Sequence, residues 1–459
     1  MGNQIKYYCK KARDFLFGNY ENVDALDTSA NPNTIKLLKT EKSISKPSKL
    51  RRLKKMKSKS IEINLTKATN VPIFNKDTND TNSIHNSADN NDCIINIKNA
   101  KNAISIEDFK LIATIGKGAF GKVKFVKYLR DGKYYAMKVL KKDLIRRTKQ
   151  IDHTKSEKRI MQLIDNEFIV KLFFSFQSAD RLYMVMEFMQ GGELFFHLKQ
   201  QRKFDEDRTR LYACEIIVAL EHLHKNQIIY RDLKPENILL DISGHIKLTD
   251  FGLSKMVLDE EDEIERIDGV ESINSSSSTT SIATFKDKKA FTICGTPEYL
   301  CPEILGGKGY DKTVDWWSLG VLIYEMISGS SPFRNINKKK LDLSSYFKPI
   351  KFNKNFSEEA ESLITGLLQT DYTKRLGYGY NDADDIKSHE FFDGIIWDDV
   401  YKRKLKHPFK PHVDGPEDLS YFDMMFTSES PRESYINESR YPSKTDVNYD
   451  RFTFVRDDV

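Results

Sequence analysis

The chain has 459 residues, a formal net charge of +6 and 39% hydrophobic residues. That hydrophobic content can bury a sizeable core, so the composition excludes a chain that is disordered throughout. The five cysteines are never paired as C-x-x-C, which argues against a disulfide scaffold or a zinc module and for a reducing compartment. The sequence has no apolar run long enough to span a membrane, and it begins without the apolar core of a secretion signal.

The positive charge is concentrated at the start of the chain. Residues 1–104 hold 19 Lys and Arg against 10 Asp and Glu, a net charge of +9, which leaves −3 for residues 105–459. The same segment is rich in Asn, Lys, Ser and Thr and lacks apolar periodicity, so we expect a disordered basic tail over residues 1–104. The body of the protein is therefore mildly acidic.

Beyond this tail, apolar patterning predicts strands first and helices later. Apolar runs bounded by turn residues predict strands over residues 109–115, 123–129, 134–140, 169–176 and 182–188. Helical spacing predicts helices over residues 151–164, 206–224, 313–328 and 358–368. This order favours an α+β chain of two unequal lobes. Residues 256–290 are acidic and then Ser/Thr-rich, which predicts a disordered insertion, and residues 393–459 are typical of a tail that lies on a folded body.

A glycine-rich segment lies between the first two predicted strands. Gly116, Gly118 and Gly121, followed by Val123, form the pattern G-x-G-x-x-G-x-V. Glycines let a backbone approach phosphate oxygens without a Cβ clash. A Rossmann dinucleotide site has the same spacing but needs a helix next, whereas a strand follows here. The pattern therefore favours a loop that covers nucleotide phosphates, and a simple glycine-rich hairpin remains the alternative.

Two further motifs supply groups for phosphoryl transfer. Lys138 on the third strand can hold phosphates if a carboxylate orients it, and Glu157 on the next helix is the natural partner. Asp232 and Asn237 lie five residues apart on a loop, where the Asp can accept a hydroxyl proton and the Asn can ligate Mg²⁺. Asp250, in Asp-Phe-Gly, adds a second metal ligand. Because phosphoryl transfer needs mainly positioning and charge neutralisation, these few groups suffice.

Together with Cys301-Pro302-Glu303, these motifs resemble those of eukaryotic serine/threonine protein kinases of the AGC group, over about residues 105–459. Tyr230 in place of the His of H-R-D is typical of that group, and residues 182–254 are most similar to the branch of Akt, the ribosomal S6 kinases and the serum/glucocorticoid-regulated kinases. The resemblance implies a bilobal kinase fold over residues 105–392 and an AGC tail over residues 393–459. Cys301 replaces the usual Ala, and we expect the Glu303–Arg375 ion pair to persist.

The resemblance also implies roles for residues at matching positions. Asp232 is the expected base, Lys234 contacts the transferred phosphate, and Asn237 and Asp250 bind Mg²⁺. The expected ATP-binding residues are Ile115, Gly116, Gly118, Gly121, Val123, Ala136, Lys138, Glu157, Met186 (the gatekeeper), Glu187 (with Phe188 in the hinge), Met189 and Asp250. An inactive scaffold with a kinase fold is one alternative to an active kinase, and the intact catalytic residues disfavour it. A cyclic-nucleotide-dependent catalytic subunit is a second alternative, and Thr453 in the terminal motif disfavours it.

Regulatory sites are implied in the same way. Thr292 matches the activation-loop phosphosite, and the expected pocket for its phosphate is His153, Arg231 and Lys255. We expect a kinase similar to the phosphoinositide-dependent kinase to modify it. Residues 449–454 resemble the AGC hydrophobic motif, with Thr453 as its phosphosite and aromatics that dock beside the Glu157 helix.

Other positions in the tail and the cleft also match positions of the AGC family. Phe422 matches the tail Phe that covers ATP. Ser430 is the chosen turn-motif phosphosite, with Ser434 as its rival. The insertion at 256–290 is longer than in the family and is open to interpretation as a linker, a phosphorylation site or a docking segment. The acidic positions that receive substrate arginines are matched by Glu193, Glu236 and Glu325. We therefore expect a preference for Arg-x-Arg-x-x-Ser/Thr sequences.

The basic tail carries signals for location. Gly2 meets one requirement for myristoylation, although Lys6 stands where that pattern needs Ser or Thr, and Cys9 is a candidate for palmitoylation. The basic cluster at residues 49–57 can add attraction to an anionic membrane. A nuclear localisation signal is the alternative, and no motif that reads nucleic acid accompanies the cluster. We expect a monomeric cytoplasmic protein with membrane contact through this tail.

Overall fold

The structure is a computed structural model that describes most of the chain beyond the basic tail. The described residues are 104–257, 290, 292, 294–307, 309–334, 346–432, 449 and 451–456. Gly2, Cys9, the basic cluster at 49–57 and Ser434 lie outside these residues. Within the described part of the chain, no helix is both long and apolar enough to cross a membrane.

The small lobe is built on an antiparallel sheet. Its strands are Phe109–Lys117 (β1), Gly121–Tyr128 (β2), Tyr134–Lys141 (β3), Leu172–Gln177 (β4), Arg181–Glu187 (β5) and Phe454–Val455 (β10). They follow the order β1-β2-β3-β5-β4-β10 across the sheet. Aromatic side chains fill the space over one face, where the Phe109 ring lies 5.0 Å from Tyr128 and 5.7 Å from Phe174. Strands rich in bulky apolar residues pair well on such a half-buried surface.

Two helices connect β3 to β4, and the second carries a residue of the site. Lys142–Arg147 (α1) was not predicted, because its six residues are too short to show an apolar period. Ile151–Leu163 (α2) matches the predicted helix, and it buries Ile160 and Met161 against the sheet while exposing Asp152. Glu157 lies on the buried side of α2.

The large lobe is mostly helical. Its helices are Leu194–Gln201 (α3), Glu206–Lys225 (α4), Pro302–Gly306 (α5), Thr313–Ser328 (α6), Glu358–Leu367 (α7), Ala383–Lys387 (α8) and Trp397–Tyr401 (α9). Asp205 caps α4 by accepting a hydrogen bond from the Arg208 N–H at 2.8 Å, as expected of an N-cap carboxylate. Helix α6 is buried over most of its length and fully buries Trp316 and Trp317, so it forms the centre of this lobe.

Short strands beside α4 carry the loops of the site. Ile228–Ile229 (β6) pairs with Lys255–Met256 (β9), and Ile238–Leu240 (β7) pairs with Ile246–Leu248 (β8). The loop at residues 230–237, named the catalytic loop, therefore lies between β6 and β7, and Asp250 follows β8. These paired strands fix both ends of each loop.

The predicted insertion at 256–290 is shorter at both ends than the composition indicated. Met256 belongs to β9 and Val257 is buried. Ala290 is buried and forms a β-bridge with Tyr310. Ile104, assigned to the disordered tail, is also buried. Composition alone missed these boundary residues because their partners are distant in sequence, and residues 258–289 lie outside the described part of the chain.

The Glu303–Arg375 ion pair is present as expected. The Arg375 Nη1 lies 2.6 Å from Glu303 Oε1, and Nη2 lies 3.0 Å from Oε2. Both side chains are buried, and Arg375 also donates to the carbonyl oxygens of Thr313 and Gln369. Cys301 is fully buried, as a small apolar residue in the Ala position would be.

Candidate active site

Lys138 joins the small lobe to the large lobe across the cleft. Its Nζ lies 2.5 Å from Glu157 Oε1 on α2 and 3.1 Å from Asp250 Oδ1. Burial alone would lower the pKa of Lys138, but Asp250 and Glu157 raise it above its ordinary value, so the lysine stays charged. The positive charge of Lys138 in turn lowers the pKa of Asp250. The cleft therefore holds a cation between two carboxylates, beside the glycine-rich loop.

The glycine-rich loop connects β1 to β2 at the mouth of the cleft. A Cβ on Gly121 would lie 1.8 Å from the Val139 carbonyl oxygen, so only glycine allows this close approach of β2 to β3. A Cβ on Gly118 would meet no atom within 4 Å, so space rather than crowding surrounds that residue. Val123 is the register partner of both Gly116 and Lys138. The loop thus leads into β2, the strand that pairs directly with the strand that carries Lys138.

The segment after β5 forms the back of the cleft. Ala136 is the register partner of Met186, and Tyr135 is that of Glu187. Met186 and Met189 are buried, whereas the remaining residues expected here are half-buried: Ile115, Val123, Ala136, Glu187 and Phe188. The Glu187 carboxylate is held by the buried Lys247 Nζ at 2.8 Å. The residues expected in this part of the cleft are thus mainly apolar, and the charged one, Glu187, is paired with Lys247.

The catalytic loop is hydrogen-bonded to Asp315 on α6. The two carboxylate oxygens of Asp315 accept hydrogen bonds from the backbone N–H groups of Tyr230 at 2.9 Å and Arg231 at 2.7 Å. Arg231 has a φ of +68°, a conformation that costs a non-glycine residue energy and persists only where neighbours hold it. The fully buried Tyr230 hydroxyl donates to the Thr249 carbonyl oxygen, which ties this loop to the Asp250 segment.

Asp232 lies at the centre of the loop. Lys234 Nζ donates to Asp232 Oδ2 at 2.7 Å, and Asn237 Nδ2 donates to the same oxygen at 2.8 Å. The other oxygen, Oδ1, accepts from the Thr296 hydroxyl at 3.3 Å. Burial raises the pKa of Asp232, with the negative charge of Asp250 adding to it, although Lys234 and Asn237 act in the opposite direction. A carboxylate with a raised pKa is a better proton acceptor.

The donor set in this cleft fits a Mg²⁺ ion. Because Asn237 uses its Nδ2 to bind Asp232, its amide oxygen is the atom left to ligate a cation. Asp250 has a lowered pKa and remains ionised, and carboxylate and amide oxygens are ligands that Mg²⁺ prefers. Asp250 also has a φ of +58°, which shows that its backbone is held in a strained conformation.

Arg231 links the catalytic loop to the segment that carries Thr292. Its Nε donates to the Leu253 carbonyl oxygen at 2.6 Å, and its Nη1 donates to the Tyr310 hydroxyl at 2.9 Å. That hydroxyl donates to the Thr292 carbonyl oxygen at 2.6 Å. Thr292 itself is exposed. The Tyr310 side chain therefore connects the Arg231 guanidinium to the backbone of Thr292.

The other two residues of the expected phosphate pocket lie on elements around Arg231. The His153 ring nitrogen Nδ1 lies 3.2 Å from the Gly252 carbonyl oxygen, which joins α2 to the Asp250 segment. Lys255 on β9 is the register partner of Ile229, shortly before Arg231. The three basic residues thus come from three elements that meet beside the catalytic loop.

The three acidic positions expected to bind arginine form one electrostatic group. The Glu193 side chain keeps contact with solvent, yet desolvation of its carboxylate in the cleft, together with the charge of Glu236, raises its pKa to about 7. Burial and the charge of Glu236 also raise the pKa of Glu325, whose carboxylate accepts from the Tyr299 hydroxyl. Glu236 therefore lies close enough to affect both neighbours, and the group attracts a cation.

The C-terminal motif lies on the small lobe beside α2. Tyr449 and Phe452 are buried, while Thr453 is exposed. Strand β10 pairs with β4, and the Ser175 hydroxyl donates to the Phe452 carbonyl oxygen at 2.6 Å. Lys158 on α2 donates to the Arg451 carbonyl oxygen at 2.8 Å. The aromatics therefore dock next to the helix that carries Glu157, as the sequence predicted.

Two other tail residues also contact the body. Phe422 stacks on Phe188, with ring centroids 5.6 Å apart, and it precedes a short helix, Met424–Thr427 (α10). Ser430 is exposed, and its neighbour Glu429 forms an ion pair with Lys122 at the start of β2.

Sequence reasoning missed three residues of this site. Asp315 had a signal, since it is an acidic residue at the start of an otherwise apolar predicted helix. Thr296 was not singled out, because its contact with Asp232 joins residues 64 positions apart. Tyr310 had no signal, because its contacts with Arg231 and Thr292 arise only from folding.

Comparison with known proteins agrees with this geometry. Residues 109–392 match the protein kinase domain, and residues 413–454 match the protein kinase C terminal domain. The chain is 44% identical to "Protein kinase 2" of Dictyostelium discoideum over 368 residues, which cover 80% of this chain and 71% of the relative. It is 42% identical to "RAC-beta serine/threonine-protein kinase A" of Xenopus laevis, over 76% of this chain and 68% of the relative. It is also 42% identical to "Serine/threonine-protein kinase gad8" of Schizosaccharomyces pombe, over 78% of this chain and 58% of the relative.

The chain belongs to the protein kinase family, and its fold is that of a bilobal kinase. Its C-terminal domain and its relatives identify it further as a serine/threonine protein kinase of the AGC group, with ATP as the phosphate donor of its family. The sequence-based recognition, fold class and enzyme class are confirmed.

Proposed function

We propose that this kinase transfers the γ-phosphate of Mg-ATP to Ser or Thr in arginine-rich sequences, with Asp232 accepting the proton of the substrate hydroxyl. The observation that carries this proposal is the pair of hydrogen bonds from Lys234 and Asn237 to Asp232 Oδ2, which orients the carboxylate and keeps Oδ1 directed towards Thr296. Lys234 then lies where it can neutralise charge on the phosphoryl group in transfer.

The remaining cleft residues bind and orient the nucleotide in this proposal. Lys138 holds ATP phosphates, and Glu157 keeps its ammonium group in place. Asn237 and Asp250 would hold Mg²⁺, which neutralises phosphate charge when it is bound. The apolar residues around Ala136 and Met186 accept the adenine ring, and the loop at Gly116–Gly121 covers the phosphates.

The substrate preference rests on the acidic group Glu193, Glu236 and Glu325. The charge of Glu236 raises the pKa of both Glu193 and Glu325, which supports a compact acidic site that suits more than one guanidinium. A positional peptide library with the purified kinase tests this, and we expect selection for Arg-x-Arg-x-x-Ser/Thr. Asp232→Asn is the control that should abolish all signal. A library profile without arginine selection would contradict the substrate assignment, and unchanged turnover by the control would contradict the role of Asp232.

Activation is proposed to require phosphate on Thr292 and Thr453. Phosphate on Thr292 would signal to the catalytic loop. This is supported by the exposure of Thr292 and Thr453 and by the contact of Tyr310 with Arg231 and Thr292. Docking of β10 beside α2 supports phosphate on Thr453 as a signal to Glu157. A kinase of the phosphoinositide-dependent type would act on Thr292. Ser430 is the proposed turn-motif site. Thr292→Ala is expected to leave little activity, and full activity would exclude this switch.

The basic N-terminal tail is proposed to bring a monomeric, cytoplasmic kinase to anionic membranes, through acylation at Gly2 or Cys9 and the cluster at 49–57. Its composition supports this, and nuclear import is the second candidate because the same cluster is basic enough for it. Live imaging of a fluorescent fusion with Gly2→Ala separates them. Loss of membrane signal supports acylation, whereas unchanged nuclear accumulation supports import.

A further inference from the structure

A buried cluster of ionisable groups lies in the large lobe, away from the cleft. Glu215 on α4 faces His245, between β7 and β8, and His407 of the tail. The Glu215 Oε1 atom lies 2.5 Å from His245 Nδ1 and 2.9 Å from His407 Nε2, while Oε2 accepts the Ile246 N–H at 2.9 Å. All three ionisable side chains are buried. One carboxylate therefore joins two segments of the lobe to the tail.

The charge of Glu215 makes these contacts strong. Burial alone would raise its pKa, but the hydrogen bonds from His245 and His407 outweigh burial and hold the pKa below its ordinary value. The carboxylate is thus ionised, and hydrogen bonds to an ionised partner are about twice as strong as neutral ones. Removing the His407 donor would leave a buried charge with one partner fewer, which is costly.

Two histidines and a glutamate could also ligate a metal ion, but the spacing favours hydrogen bonds. Zinc binds nitrogen and oxygen at about 2.0–2.1 Å, which separates tetrahedral ligand atoms by about 3.3 Å. The distances of 2.5 Å and 2.9 Å from Glu215 Oε1 to the two histidine nitrogens are shorter than this and fit shared protons.

Beyond His407, the tail packs closely against two glycines of the large lobe. A Cβ on Gly244 would lie 2.1 Å from the Phe409 carbonyl oxygen, and a Cβ on Gly191 would lie 2.7 Å from Pro411 Cγ. The Phe409 ring also lies 4.0 Å from the Arg208 guanidinium carbon. This close contact leaves the tail little freedom once His407 is fixed.

The next part of the tail reaches the nucleotide cleft. Gln190 Nε2 donates to the carbonyl oxygens of Gly415 at 2.5 Å and Asp418 at 3.2 Å. A few residues later Phe422 stacks on Phe188, which directly follows β5. The tail therefore runs from a buried anchor at His407 to an aromatic contact on the hinge segment.

We propose that His407 is a positioning residue for nucleotide binding, which acts by fastening the tail to Glu215 so that Phe422 stays on the hinge. The proposal rests on the ATP-binding cleft described above. It assigns His407 no contact with substrate or nucleotide. Its effect on the reaction is expected through the affinity for ATP rather than through the chemical step.

The test compares His407→Ala, His407→Gln and His412→Ala in the full chain. His407→Ala should raise KM for ATP about fivefold to tenfold, with kcat and KM for a peptide substrate unchanged. His407→Gln should restore most of the affinity, because its amide can donate to Glu215. His412→Ala is the matched control in the same tail segment, since that side chain is 90% exposed, and it should behave as wild type.

Hydrogen exchange provides a readout that does not depend on catalysis. Amides between residues 404 and 422 should exchange faster in His407→Ala and at the wild-type rate in the other two variants. A variant that melts earlier but keeps both KM for ATP and tail exchange unchanged would show that His407 is only structural and would overturn the proposal. Stoichiometric zinc that survives a chelator and is lost in His407→Ala would identify a metal centre and would also overturn it.

Discussion

The catalytic loop and the Lys138 ion pairs hold functional groups in different ways. The loop is fixed by buried groups of the large lobe, because Asp315 accepts two of its backbone N–H groups and Tyr230 is fully buried. Lys138 instead depends on carboxylates from two elements, Glu157 on α2 and Asp250 after β8. The loop is therefore held by the core of the large lobe, whereas the Lys138 contacts depend on where α2 and the Asp250 segment lie.

This difference suits regulation. Helix α2, which carries Glu157, also contacts the tail motif through Lys158 and the segment after Asp250 through His153. In the activation that we propose, phosphate on Thr453 or Thr292 would act on Lys138 through α2, while Asp232 keeps its place. We therefore expect changes at buried groups of the large lobe to lower the free energy of unfolding, and changes at the cleft to lower activity.

The largest effect is expected for Asp315→Asn. An amide cannot accept both loop N–H groups while also pairing with the buried His224, which lies 2.9 Å from Asp315 Oδ2. Breaking a buried pair by removing one partner costs about 3–5 kcal/mol. We expect the free energy of unfolding to fall by that amount in urea titrations, with most phosphotransfer lost. Wild-type stability would show that the loop does not depend on this contact.

A second effect is expected from pH. Burial would lower the pKa of His224, but Asp382 and Asp315 raise it to about 9 from an ordinary value of 6.5. The imidazolium therefore stabilises the fold fully below pH 6.5, and this contribution is lost as pH rises through 9. The shift corresponds to about 3 kcal/mol of unfolding free energy, measured by urea titration at several pH values. In His224→Gln the corresponding slope should disappear.

A smaller effect, confined to activity, is expected for Glu157→Gln. The change removes the Glu157 charge that orients Lys138. Burial penalises that charge and raises the pKa of Glu157, so a neutral amide offsets part of the loss in stability while Lys138 keeps Asp250 as a partner. We expect kcat/KM for ATP to fall about 10- to 100-fold with the midpoint of thermal unfolding little changed. A large loss of stability would contradict the division between the two regions. Glu358→Gln, in the first turn of α7, is a matched control.

The smallest effect concerns substrate affinity. Because the pKa of Glu193 is about 7, this carboxylate is mostly neutral at about pH 6 and mostly ionised at about pH 8. A cationic peptide should therefore bind better as pH rises, with KM for an arginine-containing peptide falling up to about tenfold across this range. Initial rates at saturating ATP would measure it. Glu193→Gln should flatten the profile, and a flat profile for wild type would remove Glu193 from recognition.

Some parts of the fold and site were predictable from local pattern. Strands β1 to β3 and helices α4 and α6 have apolar periods long enough to identify them within a few residues. The motif residues Lys138, Asp232, Asn237 and Asp250 were all identified in sequence, and the structure brings them to one cleft. By contrast, the buried boundary residues Ile104 and Ala290 carry no signal of their own, since a partner strand or lobe buries them.

The sequence by itself determined the class of fold, the order of the motifs and the types of groups available for chemistry, because strand and helix periods and short motifs depend only on neighbours along the chain. Tertiary structure alone decided that Asp315 supports the catalytic loop, that Tyr310 joins Arg231 to Thr292, and that the tail is anchored by a histidine on Glu215. Tyr310 and Thr292 are 18 positions apart, and the other contacts join residues 79 to 192 positions apart, so no local pattern reveals them.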